Sequence, residues 1–277
     1  MATPEADAAS GDAVEQYKQA YKLLNEGEPE TVAALQWLRS SAPQHFAPAQ
    51  FLLGYAFEHG RGVPVDYAQA AENYRAAALQ GNAAAENNLG GLYQYGRGVP
   101  RDVSMALQWY RASAQHGNRA GQYNLASFYY LGYGTVRDVD QATQWFRASA
   151  EQGFAAAQAN LAMLYFKGIG VRTDYTEAAR WSRLAADQGL PHAAANYAYL
   201  CEHGQGVPRD YVAAYLWYAL AAAAGDEASA RRLKSVAHHL NHEQLKQAQA
   251  QVVAGANRSK APGSVAANGD PSLTETP

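Results

Sequence analysis

The chain has 277 residues, a net charge of −3 and 17% charged side chains, below the roughly 25% of an average globular protein. That balance gives no electrostatic case for nucleic acid, and no run approaches the ~20 apolar residues of a membrane helix. One cysteine, Cys201, excludes an intrachain disulfide and a cysteine-based metal cluster.

Residues 1–12 carry no apolar periodicity and are expected to be disordered. The first helix is predicted from about Ala13 to Asn25, because Tyr17, Ala20 and Tyr21 stand 36 residues before Leu53, Ala56 and Phe57. It reads as half a repeat closing one end of an array. From about 30 to 240 the period of 36 is unbroken. Gly81, Gly117, Gly153, Gly189 and Gly225 keep it, as do Asp66, Asp102, Asp138, Asp174 and Asp210. So do Trp37, Trp109, Trp145, Trp181 and Trp217, with Asn73 in the missing place. Two further glycine columns run from Gly60 to Gly204 and from Gly62 to Gly206.

Each repeat reads as a helix A followed by a helix B. Asp102 can cap helix A by accepting an orphan backbone N–H. Ala106, Trp109, Tyr110, Ser113 and Ala114 then follow the i, i+3, i+4, i+7, i+8 spacing of one buried stripe. Gly117 ends the helix. Helix B runs from about Arg119 to Leu131 with Leu125, Phe128 and Tyr129 on its apolar face. The tryptophan column is assigned to the core and the Asp and Gly columns to caps and turns. The ladder Asn88, Asn124, Asn160 and Asn196 is assigned to satisfying backbone groups in adjoining turns.

The expected repeats are 30–65, 66–101, 102–137, 138–173, 174–209 and 210–240. After them Asn241 and Gln244 resemble a capping box opening a final helix, 241–254. Residues 13–254 are expected to form one domain of about 13 to 15 helices with no sheet. The tail, 255–277, is rich in Gly, Pro, Ser, Asn and Thr and is expected to be disordered.

Units such as Ala106-Leu107-Gln108-Trp109-Tyr110-Arg111-Ala112-Ser113-Ala114-Gln115-His116-Gly117, then Asn124-Leu125-Ala126, then Gly-x-Gly-Val before an Asp, resemble the Sel-one-like repeat family. These are relatives of the tetratricopeptide repeat. The resemblance covers about Thr31 to Leu240, some six repeats. It implies an all-α fold, a right-handed α/α superhelical solenoid with A helices on the concave side. It also implies scaffold or adaptor roles in protein complexes, often bacterial; some relatives are described as penicillin-binding or β-lactamase-like. Cysteine-rich members pair cysteines within repeats. Cys201 stands alone in a column otherwise held by Phe57, Tyr93, Tyr129 and Tyr165, and reads as a buried, inert thiol.

No catalytic constellation is found. The repeats contain no Ser-x-x-Lys, and the chain no Ser-Asp-Asn or Lys-Thr-Gly, so serine β-lactamase chemistry lacks its parts. P-loop, Gly-x-Ser-x-Gly and His-Glu-x-x-His motifs are absent. Gly-x-Gly recurs only after a helix, which excludes dinucleotide binding. His238 and His242 are four apart, but Asn241 should break the helix between them, so no metal and no other cofactor is expected. His59 and His203 share a column and read as structural.

One surface column has two readings. Arg39, Arg75, Arg111, Arg147 and Arg183 lie 36 apart on helix A, away from the buried stripe. With Gln108, Gln144 and Arg180 they form a candidate concave track for an acidic peptide or another anion. The preferred reading is structural: pairs at i,i+4 such as Arg147 with Glu151 and Arg183 with Asp187, plus packing of the aliphatic stems.

The expected function is therefore a non-enzymatic scaffold that binds a protein or peptide on the concave face, as a monomer. The alternatives are a β-lactamase-like enzyme, or a glycan binder using aromatic loops such as Tyr129-Tyr130-Leu131-Gly132-Tyr133. The start, Met1-Ala2-Thr3-Pro4-Glu5, has no basic or apolar leader segment. That makes the cytoplasm the default compartment, and the periplasm or exterior the compartment if a signal peptide was removed.

Overall fold

The computed structural model describes residues 12–24 and 28–259, with the side chains of 23–32 and 254–259 left aside. Residues 1–11 and 260–277, most of the two segments expected to be disordered, lie outside the described residues. The chain divides into two compact units, Met1–Asp138 and Val139–Pro277.

The first unit holds α1 (Ala13–Leu24), α2 (Glu28–Ser41), a 3-10 turn (Ala42–Gln44), α3 (Ala47–His59), α4 (Tyr67–Ala78), α5 (Ala83–Tyr95), α6 (Val103–Gln115) and α7 (Arg119–Leu131). The second holds α8 (Val139–Glu151), α9 (Ala155–Lys167), α10 (Tyr175–Asp187), α11 (Pro191–His203), α12 (Tyr211–Ala223), α13 (Glu227–Ala237) and α14 (His242–Ser259). These are fourteen α-helices, and no strand occurs among the described residues. Within each unit a helix packs chiefly on its sequence neighbours, and α14 folds back onto α12. The fold is all-α, built of repeated helix pairs.

The aspartate column caps helices as expected. Asp66, Asp102, Asp174 and Asp210 each accept a backbone N–H from the first turn that follows. Asn82, Asn118 and Asp226 do the same for the alternate helices α5, α7 and α13, a set the 36-residue columns did not single out. The reciprocal capping box is present: Asn241 N donates to Gln244 Oε1 at 3.0 Å and Gln244 N to Asn241 Oδ1 at 2.8 Å. The helix it opens runs to Ser259, five residues past its expected end.

Glycine is required where chains cross. Gly98 has φ +68°, and a Cβ there would lie 2.1 Å from the carbonyl oxygen of Tyr67. Gly206 repeats this against Tyr175 at 2.0 Å. No side chain fits between the turn and the helix start beneath it.

The core corrects the tryptophan assignment. Trp37, Trp109, Trp145 and Trp217 are only half-buried, and Trp181 alone of the column is buried. The deeper column is the next one: Leu38, Tyr74, Tyr110, Phe146 and Tyr218 are all buried. Helical spacing admits both adjacent positions to one stripe, and ring size was a poor guide to which faces inward. The indole is also harder to bury, because its N–H needs an acceptor. Trp181 Nε1 finds one in Glu177 Oε2 at 2.9 Å, whereas Trp109 Nε1 is buried without a partner.

A second buried column is polar. Gln50, Glu86, Gln122 and Gln158 are all buried. Three of them donate to a carbonyl eight residues back, Gln50 to Ala42, Gln122 to Ala114 and Gln158 to Ala150. Gln80 and Gln188 reach Gln50 and Gln158 from 30 residues on, at 2.7 and 2.8 Å. In the repeat where glutamate replaces glutamine, His116 Nδ1 meets Glu86 at 2.9 Å. Burial pushes the Glu86 carboxyl above the ordinary glutamate range, while His116 pulls it down.

Candidate functional site

Three of the five column arginines are tied to tyrosines of the following helix. Arg75, Arg111 and Arg147 each donate through Nη2 to the hydroxyl of a tyrosine 18 residues on: Tyr93 at 2.8 Å, Tyr129 at 3.3 Å and Tyr165 at 2.6 Å. These are bonds between helices, not the expected i,i+4 pairs, and they leave Arg75 and Arg147 half-buried. Arg147 thus reaches Tyr165 instead of the expected Glu151. The exceptions fall where the tyrosine is missing. Arg183 precedes Cys201 in that register and pairs with Asp187 at 3.8 Å, as expected. Arg39 precedes Phe57 and is exposed. Arg180 pairs with Glu177 at 3.3 Å and lies 4.6 Å from the Trp181 ring centroid. Gln108 and Gln144 are exposed.

A cleft of about 470 Å³ lies in the first unit. Its polar wall belongs to a relay through four helices, α3, α4, α5 and α7. Tyr74 donates to Glu58 Oε2 at 2.7 Å, and Asn88 donates to the Tyr74 hydroxyl at 3.1 Å. Asn87 donates to Asn88 Oδ1 at 3.1 Å, and Asn124 donates to Asn87 Oδ1 at 2.8 Å. Beside it Tyr110 donates to Gln94 Oε1 at 2.6 Å. Burial raises the pKa of Tyr110, and Tyr74 is raised by burial and by the neighbouring Glu58, so both remain phenols. Tyr95, Tyr123 and Tyr133 also line it, with Arg97, Ser127 and Phe128 among the other walls.

This relay corrects the reading of the asparagine ladder. Asn88 and Asn124 bond side chains and not backbone, because Asn88 reaches back to Tyr74 of α4 and Asn124 to Asn87 of α5. The α5 and α7 helices that supply them are the B helices of the sequence reading, so this cleft is lined mainly by the helices opposite the arginine column. The tyrosine partners recur 16 residues apart: Tyr74 with Glu58, Tyr110 with Gln94, and Tyr218 with Glu202 at 2.8 Å. That offset was visible in the sequence, but single-residue columns do not expose it.

The cleft offers hydrogen bonds and aromatic faces. Among its lining residues the sole carboxylate is Glu58, already bonded to Tyr74. A second cleft, of about 460 Å³, lies in the second unit between Phe166, Ser182, Tyr199, Tyr218 and Arg232.

The remaining candidates are structural. His59 and His203 approach the carbonyls of Tyr55 and Tyr199 through Nδ1, at 3.1 and 2.9 Å, and stack on the same two rings. His238 follows the end of α13 and His242 opens α14, so they share no helix. His239 stacks on Tyr211 at 4.5 Å. Among the described residues no group of three or more His, Cys, Asp or Glu could hold a metal ion, and no helix is long and apolar enough to cross a membrane. Cys201 is buried, and burial pushes its thiol pKa up, which suppresses the reactive thiolate.

Capped helix pairs, crossing glycines and a fixed 36-residue register define an α/α repeat protein. The Sel1 repeat profile matches residues 47–82, 83–118, 119–154, 155–190 and 191–226, so the chain belongs to the Sel1 repeat family. The profile opens each unit at the helices termed B above.

Among solved structures, a protective antigen present in uropathogenic Escherichia coli strains, displaying an SLR fold, is 30% identical with a TM-score of 0.79. The alignment covers 92% of this chain and 56% of the antigen's, so this chain spans little more than half the antigen's length. A Sel1 repeat protein from Oxalobacter formigenes is 28% identical with a TM-score of 0.71, over 80% of this chain and 88% of that one. No curated protein matches by sequence.

Proposed function

We propose that this Sel1 repeat protein is a non-enzymatic scaffold that holds an extended segment of a protein partner in the asparagine–tyrosine cleft of its first unit. The observation that carries this reading is the relay from Glu58 through Tyr74, Asn88 and Asn87 to Asn124. A carboxamide presents two donors and one acceptor. The relay fixes the orientation of each and uses a single N–H of Asn124, leaving the rest of that amide to meet a peptide backbone. Tyrosines around the rim supply rigid contact area at low entropic cost. The arginine column takes a structural part in this proposal, as hydrogen-bonded ties between helices.

The test is capture of partners by the wild-type protein and two double variants, with mass spectrometry as the readout. Asn88→Ala with Asn124→Ala should lose the specific partner. Arg111→Glu with Arg147→Glu should keep it. The reverse pattern would return the binding site to the arginine track. Nitrocefin turnover above a denatured control would reinstate the enzyme reading, and capture of a glycan in place of a protein would favour the polymer binder, since Leu131 and Tyr133 of the aromatic loop line the cleft.

A further inference from the structure

In the column Leu38, Tyr74, Tyr110, Phe146, Ser182 and Tyr218, Ser182 alone carries no large apolar or aromatic side chain. The column Tyr74, Tyr110, Phe146 and Tyr218 is 0, 2, 2 and 3% exposed. At the fifth position stands Ser182, itself 2% exposed. The substitution is double. Where Glu58, Gln94 and Glu202 accept the tyrosine hydroxyl 16 residues on, the position before Ser182 is Phe166, which cannot accept. A buried ring and its polar anchor have been exchanged for a small hydroxyl and a half-buried ring.

The space so vacated is open. Ser182 lines the cleft of about 460 Å³ in the second unit, with Ala162 and Tyr218 also buried against it. Phe166 and Tyr199 form an aromatic wall, edge to face with centroids 5.8 Å apart. The Ser182 hydroxyl has no hydrogen-bond partner among the described residues. Lys167 and Asn196 stand exposed at the lip, and Arg232 is held beside it by Glu202 at 3.3 Å.

We infer that this cleft is a receptor for an aromatic side chain presented by a partner peptide, seated where the repeat omits its own tyrosine. The ring takes the place defined by the column, with edge-to-face contact to Phe166 and Tyr199 and a hydroxyl partner in Ser182. The cleft is larger than one ring, and the surplus at the Asn196 lip accommodates the peptide backbone on either side. Aromatic anchors in desolvated pockets dominate the energetics of many protein interfaces. This site is separate from the asparagine–tyrosine cleft, and its test does not use the partner captured there.

The probes are p-cresol, which is the tyrosine side chain alone, and N-acetyl-L-tyrosinamide, which adds a peptide group on each side. Binding is read by chemical-shift changes in the full-length protein and located by intermolecular NOEs. Both probes should give NOEs to Ala162, Tyr199 and Tyr218, with the amide binding at least as tightly as p-cresol. Ser182→Ala should retain both. Ser182→Tyr should fill the space from within, weaken both by roughly tenfold or more, and raise Tm. Tyr218, buried in one cluster with Ala198 at the place equivalent to Ala162, shows that a tyrosine fits over an alanine here. Should Ser182→Tyr not fold, Phe166→Ala removes the wall and should weaken both probes likewise. Absence of p-cresol binding, or binding undiminished in both Ser182→Tyr and Phe166→Ala, would overturn the site. Binding of p-cresol without N-acetyl-L-tyrosinamide would overturn the peptide occupant in favour of a free arene.

Discussion

Arg147 ties helix α8 to helix α9 by donating through Nη2 to the hydroxyl of Tyr165 at 2.6 Å. The guanidinium carbon also lies 6.0 Å from that ring's centroid. Tyr165→Phe keeps the ring and removes the acceptor. It should cost about 1.5–3 kcal/mol, the range for hydrogen bonds to a charged group. Arg147→Ala should cost a similar amount, and the double variant should cost less than the sum. Urea melts of the four proteins measure the coupling; strict additivity would mean that the pair contributes nothing.

Phe146 and Trp145 make an adjacent contrast. Phe146 is buried and Trp145 half-buried. Phe146→Ala should cost about 3–5 kcal/mol, as large aromatic truncations in cores do. Trp145→Ala should cost about half as much, since much of the indole keeps its water. The opposite ranking in denaturant melts would place the core one residue earlier.

Two glycines with the same sign of φ should respond differently to alanine. Gly117, at φ +86°, has open space where a Cβ would stand, with nothing within 4 Å, so Gly117→Ala carries only the left-handed backbone cost of about 1–2 kcal/mol. Gly98→Ala adds a collision with the Tyr67 carbonyl at 2.1 Å and should be several-fold worse or prevent folding of that turn. Thermal unfolding of the two variants side by side is the check.

Glu86 predicts a pH dependence. Its folded pKa is raised by burial, so the native state holds the proton more tightly than the unfolded chain does. Stability contributed by this group therefore falls as pH rises from the ordinary glutamate range through the raised value. Glu86→Gln restores the residue found at Gln50, Gln122 and Gln158 and should remove that fall. Adding His116→Gln reproduces the Gln50–Gln80 pair. Melts across the acidic range should be flatter in the double variant; an unchanged slope would assign the effect elsewhere.

The repeat, the caps and the closing helix were legible because each depends on one residue type at one place. Asp102 announces a helix start and Asn241 with Gln244 another, whatever surrounds them. The cleft was not legible, because it depends on pairs. Asn124 looks like any polar residue on a helix until folding brings Asn87 of α5 beside it. Arg147 likewise looks solvent-bound until Tyr165 arrives from the following helix. Two columns offset by 16, 18 or 30 residues carry the information, and it becomes readable only when the helix pair is folded. Ser182 shows the complementary case: its meaning lies in what the other repeats have and it lacks.

Side-chain ties between helices join residues no more than a few tens of positions apart, among them Tyr74–Glu58 at 16, Arg75–Tyr93 at 18, Gln80–Gln50 at 30 and Asn124–Asn87 at 37. A chain stitched at such short range closes small loops at low entropic cost and falls in the class of low contact order, which folds fast. Each helix pair meets its partners soon after it leaves the ribosome, without waiting for the C-terminus. The same stitching gives the gene a simple arithmetic: a whole unit of 36 residues can be added or removed while the pairs outside it keep their separations, whereas a single residue inserted in a turn alters the separation of each pair that spans it.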